Sequence, residues 1–286
     1  MLSKLALGTV QFGMKYGISN QAGKVPREDV QTIMALARDA GINMLDTAIS
    51  YGDSEQTLGE IGVRDWEVIT KLPLVPQGCS DVSEWVHRQL LGSLQRLRSN
   101  AVDVLMLHHS HQVPGPIGKD LVRALQEVKD RGLVRQIGVS IYDPNELDLI
   151  GNVAPFDVVQ APVNVLDKKL ITSGWLTRLH DSGIEVHTRS TFLQGLLLME
   201  SALRPAKFDR WHSLWNTWDA WLERCHLTPL QACLQYALSV EVDRVIVGVE
   251  TPDQLKQILA VGPSPRLAVP PEIDSIDVDL INPSRW

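Results

Sequence analysis

Four side chains in this sequence have the types needed to move a proton at a carbonyl: Asp46, Tyr51, Lys71 and His108. Asp46 ends the run Asn43-Met44-Leu45, Lys71 ends Val68-Ile69-Thr70, and His108 ends Val104-Leu105-Met106-Leu107. Three successive apolar strands therefore deliver an acid, an ammonium and an imidazole to one rim, with Tyr51 five residues past Asp46. A phenol with a pKa near about 10 exchanges protons poorly at neutral pH. A neighbouring ammonium favours the phenolate and lowers that value. The expectation is that Asp46 holds Lys71 charged and aimed, that His108 orients a substrate oxygen, and that Tyr51 donates the proton. Taken singly, each has an ordinary reading, because a charge ending a strand is usually just solvated and a loop tyrosine usually packs. Their joint placement carries the argument. His108, His109 and His111 with Asp46 form an alternative metal set, but strand alternation sends neighbouring residues to opposite faces, so no metal is expected.

The elements that must position these groups alternate along the chain. Short apolar runs at 5–11, 43–48, 66–72, 102–108, 134–140, 158–163, 184–189 and 245–249 read as strands. Helical spacing occupies the intervals, among them a helix opened by Pro26 and closed near Gly41, and helices at 54–61, 82–97, 121–130, 144–151, 176–181, 229–238 and 252–260. Parallel strands joined by helical crossovers bury such runs on both faces. Eight repeats predict an α/β fold closed as a (β/α)8 TIM barrel, one domain over residues 1–286. An open doubly wound sheet would carry a Gly-x-Gly-x-x-Gly turn after its first strand, and Gly8-Thr9-Val10-Gln11-Phe12-Gly13 lacks that spacing.

The net charge of −7 and the absence of a Lys/Arg run disfavour nucleic acid as a partner. Cys79, Cys225 and Cys233 give no disulfide framework. No apolar run reaches the length of a membrane span, and Met1 to Gly8 is too short and interrupted for a signal peptide. A cytoplasmic protein acting on a small molecule is expected.

The segments Leu45-Asp46-Thr47-Ala48-Ile49-Ser50-Tyr51-Gly52, Thr70-Lys71, Val102 to His108, Ile137-Gly138-Val139-Ser140 and Val245-Ile246-Val247-Gly248 together resemble the aldo-keto reductase superfamily over nearly the whole chain. The resemblance implies an NAD(P)H-dependent oxidoreductase interconverting an aldehyde or ketone with an alcohol. In it Asp46, Tyr51, Lys71 and His108 form the catalytic tetrad and Tyr51 is the general acid. It also implies cofactor contacts: Ser140 and Gln160 on the carboxamide, Gly8 and Thr9 beneath the cofactor, and Ser190, Phe192, Gln194 and Gly195 around the pyrophosphate. Gly248, Thr251, Gln254 and Gln257 would lie at the adenosine end. Three departures stand out. Ile141 replaces an Asn that would hold the carboxamide. Arg189 replaces an aromatic ring, and its flat guanidinium is expected to stack on the nicotinamide instead. Gly248 and Gln254 replace the Lys and Arg that often grip a 2′-phosphate. The resemblance favours NADP(H), with NAD(H) the other possibility.

Trp211, Trp215, Trp218 and Trp221 share one face of a helix. They read either as packing against the barrel or as an aromatic wall over the pocket suited to sugar rings. The opening Gly8 to Gly13 resembles bacterial members associated with carbohydrate metabolism, which points to a sugar-like substrate. The Pro-rich tail from Pro263, ending in Ile281 to Trp286, is expected to dock. A nucleotide-binding regulatory protein on the same scaffold, with little turnover, is the alternative function, and a metal-dependent hydrolase a more distant one.

Overall fold

Eight strands form, each where an apolar run meets a break in helical spacing: β1 (Leu5–Gly8), β2 (Met44–Asp46), β3 (Glu67–Leu72), β4 (Val102–Leu107), β5 (Val134–Ser140), β6 (Val158–Pro162), β7 (Glu185–Arg189) and β8 (Arg244–Gly248). In the computed structural model they pair in parallel, in sequence order, and close into a barrel through β1 and β8, with Leu5 opposite Val245 and Gly8 opposite Gly248. Residues 2–150, 155–262 and 267–286 are described. Gly151, assigned above to a helix end, and Pro263, the start of the tail, lie outside them.

Side chains of a strand alternate between lumen and helix shell. Ala6, Met44, Ile69, Val104, Met106, Val158 and Ile246 form a separate apolar cluster that fills the lumen. The larger cluster lies between strands and helices and takes in Leu5, Leu7, Leu45, Val68, Leu105 and Val159. The same two-residue period continues Met44 to Asp46, Ile69 to Lys71, Met106 to His108 and Val158 to Gln160, so all four polar groups project from the top of the lumen. Gly138 keeps that lumen open, since a Cβ there would stand 2.7 Å from the Val158 carbonyl oxygen and 3.1 Å from Met106.

Local signals set the helices. Asp81 caps Val82–Leu97 by accepting from the Glu84 amide, and Arg98 ends it in the left-handed region at φ 52°. Thr228 and Gln231 form a capping box ahead of Pro229–Ser239. Ser54–Ile61 stands directly behind the loop that carries Tyr51. It is tied to β3 by Glu55, a buried carboxylate that accepts from Thr70 at 2.5 Å, from the Ser93 hydroxyl, and from Arg96 at 2.7 Å.

Two expectations need correction. The first strand stops at Gly8 rather than Gln11, and Val10–Gly13 is a helical turn. Thr9 donates its hydroxyl to the Asp46 carbonyl oxygen and accepts from Ser54, which bends the chain across β2. The aromatic wall is absent: Trp215, Trp218 and Trp221 of His212–Cys225 are buried, and none of the four tryptophans borders the strand-end cavity. The tail docks as expected. Leu280 and Ile281 are buried, and Trp286 stands edge-on to Phe208 at 5.0 Å. Among the described residues no helix is long and apolar enough to cross a membrane.

Gly13 packs so closely under the Tyr51 loop that a Cβ would stand 1.8 Å from the Tyr51 carbonyl oxygen and 2.4 Å from the Ser54 nitrogen. Both are backbone atoms, so the loop must move. Gly13→Ala is expected to cost about 1–3 kcal/mol in denaturant unfolding, the usual scale of overpacking.

Candidate active site

β2 ends in Asp46, β3 carries Lys71 one residue from its end, and His108 follows the last residue of β4. Asp46 is 4% exposed and Lys71 is wholly buried. A lone buried ammonium would be prohibitively costly, so the pair must be well made. The Lys71 Nζ donates to both Asp46 oxygens at 2.7 Å and to the Thr47 carbonyl oxygen at 3.0 Å. Asp46 Oδ1 also accepts from Gln160 Nε2 at 2.8 Å, which brings β6 into the same network.

Tyr51 is held by its backbone, donating to the Ala48 carbonyl oxygen at 3.0 Å and accepting from the Ser54 amide at 3.1 Å. Its ring lies 5.2 Å from Nζ and 5.6 Å from the His108 ring, edge to face. The expected lowering of the phenol's pKa is not what this environment produces. Burial and the Asp46 charge push it above the usual tyrosine value, with Arg189 only partly opposing. Lys71 cannot act as a free cation, because both carboxylate oxygens of Asp46 already face it. Tyr51 stays protonated through neutral pH. Burial pushes His108 down to about 3, helped by the charges of Lys71, His109 and Arg189. The imidazole is therefore neutral, with Nδ1 buried and unpartnered.

Above these groups lies a cavity of about 650 Å³, within the usual range for ligand pockets. Asp46, Tyr51 and His108 line it and Lys71 lies beneath. Of the further residues singled out from the sequence, Gly8, Thr9, Ser140, Gln160 and Arg189 reach it from strand ends. Ser140 and Gln160 stand directly opposite each other in register. Ser190, Phe192, Gln194 and Gly195 line it from the loop after β7, and Gly248, Gln254 and Gln257 from the β8 side. Thr251 does not line it; its hydroxyl caps Pro252–Leu259 by accepting from the Gln254 amide.

Arg189 stacks on Tyr142 at 4.3 Å and donates to the Ile141 carbonyl oxygen at 2.9 Å and to Ser190 Oγ at 3.2 Å. Among the described residues it makes no ion pair, and Ile141 offers the cavity no side-chain contact of the kind an Asn would.

The loop after β7 is unusual. Ser190, Leu193 and Gln194 have φ of 63°, 48° and 54°, a region disfavoured for residues with a Cβ. It is held by the loop after β1: Ile18 donates to the Gln194 carbonyl oxygen at 3.0 Å, and Gln194 Nε2 donates to the Tyr16 hydroxyl at 3.0 Å. Gly195 at φ 89° admits no side chain, since a Cβ would stand 1.9 Å from Ser19 Oγ.

Several lining residues escaped the sequence reading. Tyr142 lies two residues past Ser140, so its strand parity was a usable signal. His109 lines the cavity beside His108, with rings stacked at 5.1 Å. The alternation rule invoked for the pair fails because β4 has already ended at Leu107. Among the described residues no group of three His, Cys, Asp or Glu side chains is placed to hold a metal ion. Gln11 comes from the helical turn Val10–Gly13, and Glu250 from a loop that no periodicity locates.

The residues fit a large polar ligand such as a dinucleotide. Gln11 Oε1, His108 Nδ1 and Thr191 Oγ1 are buried atoms of the cavity wall without a protein partner. A Cβ on Gly248 would stand 2.8 Å from the Gln11 amide, so the backbone is bare where the wall is tightest.

Removing one member of the buried pair strands the other. Asp46→Asn is expected to lower stability by about 3–5 kcal/mol, whereas Asp46→Asn with Lys71→Met recovers most of it. Urea unfolding of the native protein, Asp46→Asn, Lys71→Met and the double variant checks this; additive losses would mean that the pair is not coupled.

The model of the Aldo/keto reductase family matches residues 4–268. The NADH-specific methylglyoxal reductase of Escherichia coli (strain K12) is 28% identical over 225 residues, covering 68% of this chain and 65% of that protein. The L-galactose dehydrogenase of Arabidopsis thaliana is 26% identical over 283 residues, covering 90% of this chain and 84% of that protein. The chain spans about 60–65% of the length of the bacterial reductases it matches. The fold is shared with the holo form of aldo-keto reductase AKR11C1 from Bacillus halodurans, with a TM-score of 0.73 and 22% identity over 93% of this chain and 88% of that one. With the barrel closed, the strand-end residues in place and the family model covering nearly all of it, the chain belongs to the Aldo/keto reductase family.

Proposed function

We propose that this protein is a nicotinamide-dinucleotide-dependent oxidoreductase that reduces an aldehyde or ketone to an alcohol, or runs the reverse, with Tyr51 as the acid/base group. One observation carries the reading: a protonated phenol and a neutral imidazole border one cavity, above a buried Lys71–Asp46 pair. When bound, the dinucleotide supplies the reducing equivalent to the carbonyl carbon. Tyr51 Oη donates the proton to the carbonyl oxygen. The neutral imidazole of His108 offers that oxygen a hydrogen bond without competing as an acid. Asp46 and Lys71 fix the floor under both rings, and Gln160 is anchored to the same carboxylate. Ser140 and Gln160 are the groups we assign to the carboxamide, and Ser190, Phe192, Gln194 and Gly195 those assigned to the pyrophosphate.

A polyhydroxylated, sugar-like carbonyl compound is the substrate class we favour. The L-galactose dehydrogenase of A. thaliana is named for a sugar. Tyr16, Tyr142, His109 and Arg189 add polar groups to the cavity wall that would suit hydroxyls. We place the protein in the cytoplasm, where its three free thiols would stay reduced.

Tyr51→Phe is expected to lower kcat by roughly 10²–10⁴-fold while dinucleotide binding, followed by fluorescence, stays near native. Near-native turnover would overturn the assignment of the proton donor. With His108 neutral down to its pKa of about 3, the pH profile of kcat/KM between about 5 and 9 gains no inflection from that ring. Native protein and His108→Gln should give profiles of one shape at different heights; an inflection near about 6.5 lost in the variant would contradict this.

A further inference from the structure

The cavity has a chemical end and a far end. Asp46, Tyr51 and His108 lie at the first. Past Gly8 and Gly248, the far wall is made by Glu250, Gln254 and Gln257, with Leu230 also lining the cavity from the Pro229–Ser239 helix. A dinucleotide whose reactive ring sits beside Tyr51 extends its adenosine toward that far wall. NAD(H) and NADP(H) differ there alone, by a 2′-phosphate on the adenosine ribose.

We propose that Glu250 selects the dinucleotide with free 2′- and 3′-hydroxyls, NAD(H), over the 2′-phosphorylated form. The inference rests on the dinucleotide reading given above, and it runs against the NADP(H) preference that the family resemblance implies.

Glu250 is partly buried and lines the cavity, and its Oε1 faces the loop after β1, 3.7 Å from where a Cβ on Gly17 would stand. Its own amide donates to Gln254 Oε1 at 2.7 Å, which fixes the corner between β8 and the Pro252–Leu259 helix. Among the described residues it makes no ion pair. The two cations nearest in sequence, Arg244 and Lys256, are taken up by Glu67 at 3.1 Å and Asp253 at 2.8 Å. Arg189, the single Lys or Arg among the described lining residues, stacks on Tyr142 and donates to the Ile141 carbonyl oxygen. The first turn of the helix adds no anion site, because the Gln254 amide is spent on Thr251 and Asp253 brings a second negative charge.

An ionised carboxylate only accepts hydrogen bonds. Two vicinal hydroxyls can give it two charge-assisted bonds. A 2′-phosphate removes one of those donors and brings about −1.5 to −2 charges against a carboxylate with no counter-ion. Rejection by an unpaired like charge is a common route to specificity. Burial raises the pKa of Glu250, and the Gln254 side chain opposes that rise.

Equilibrium titration of the whole protein with NADH and with NADPH, followed by nucleotide fluorescence without substrate, tests the proposal. NADH is expected to bind about tenfold or more tighter, as like-charge juxtaposition costs several kcal/mol. Glu250→Gln should bring the two Kd values within about threefold, and Glu250→Lys should invert their order. Competition by 5′-AMP against adenosine 2′,5′-bisphosphate, which differ only by the 2′-phosphate, gives the same comparison in the native protein without a variant, and 5′-AMP should win. Equal or tighter binding of NADPH, or a preference for NADH that Glu250→Gln leaves unchanged, overturns the role of Glu250 and leaves the oxidoreductase reading standing. Binding of neither nucleotide to folded protein overturns that reading itself, and this inference with it.

Discussion

A lysine with no solvent exposure, held by both oxygens of one aspartate, is the constraint around which the cavity floor is built. Neither charge is tolerable there without the other. Asp46 ends β2 and Lys71 belongs to β3, so the pair sets how those strands sit at the rim, and Gln160 extends the same network to β6 on the other side of the lumen. The Tyr51 and His108 rings rest on this floor; burial sets their protonation states, reinforced by the Asp46 charge for the phenol and the Lys71 charge for the imidazole. A carboxylate satisfied by an ammonium leaves that ammonium little influence over a neighbouring phenol. The pair acts on the tyrosine chiefly as shape, with the residual field of the aspartate favouring the protonated form.

Much of the architecture was legible because barrels of this kind repeat one local rule. The helices Ser54–Ile61 and Val82–Leu97 lie where apolar spacing and, for the second, the Asp81 cap place them. Parity along three short strands was enough to send Asp46, Lys71 and His108 into one lumen. The same reasoning failed where regular structure stops. His109 was assigned to the wrong face because the strand ended two residues earlier, and the first strand was read through Thr9 although a side-chain hydrogen bond turns the chain there. Trp215, Trp218 and Trp221 share one face of His212–Cys225, whereas Trp211 ends the preceding turn Ala206–Trp211 outside that helix, and periodicity cannot say which neighbour a face will meet. It meets the core of the protein rather than the cavity.

Electrostatics was the least legible property. Lys71 beside Tyr51 in a list of residues suggests a lowered phenol pKa, and the outcome depends on distances that no pattern contains. Glu250 is the opposite case. It is an unremarkable acid just after a strand, and only its place on the cavity wall, with no ion pair among the described residues, makes it informative. The loop after β7 belongs with these. Its left-handed residues carry no strong sequence mark apart from Gly195, and the loop after β1 that braces them is a distant part of the chain.

Closure of the barrel has a consequence for how the chain is made. All four residues of the chemical end are translated by position 108, yet β1 finds its second partner only when Val245 and its neighbours emerge. At ribosomal speeds that delay is roughly seven to twenty-seven seconds. Throughout it, one edge of the nascent sheet has nothing to pair with, and contacts this remote in sequence form slowly. That edge stays unpaired until the eighth strand arrives.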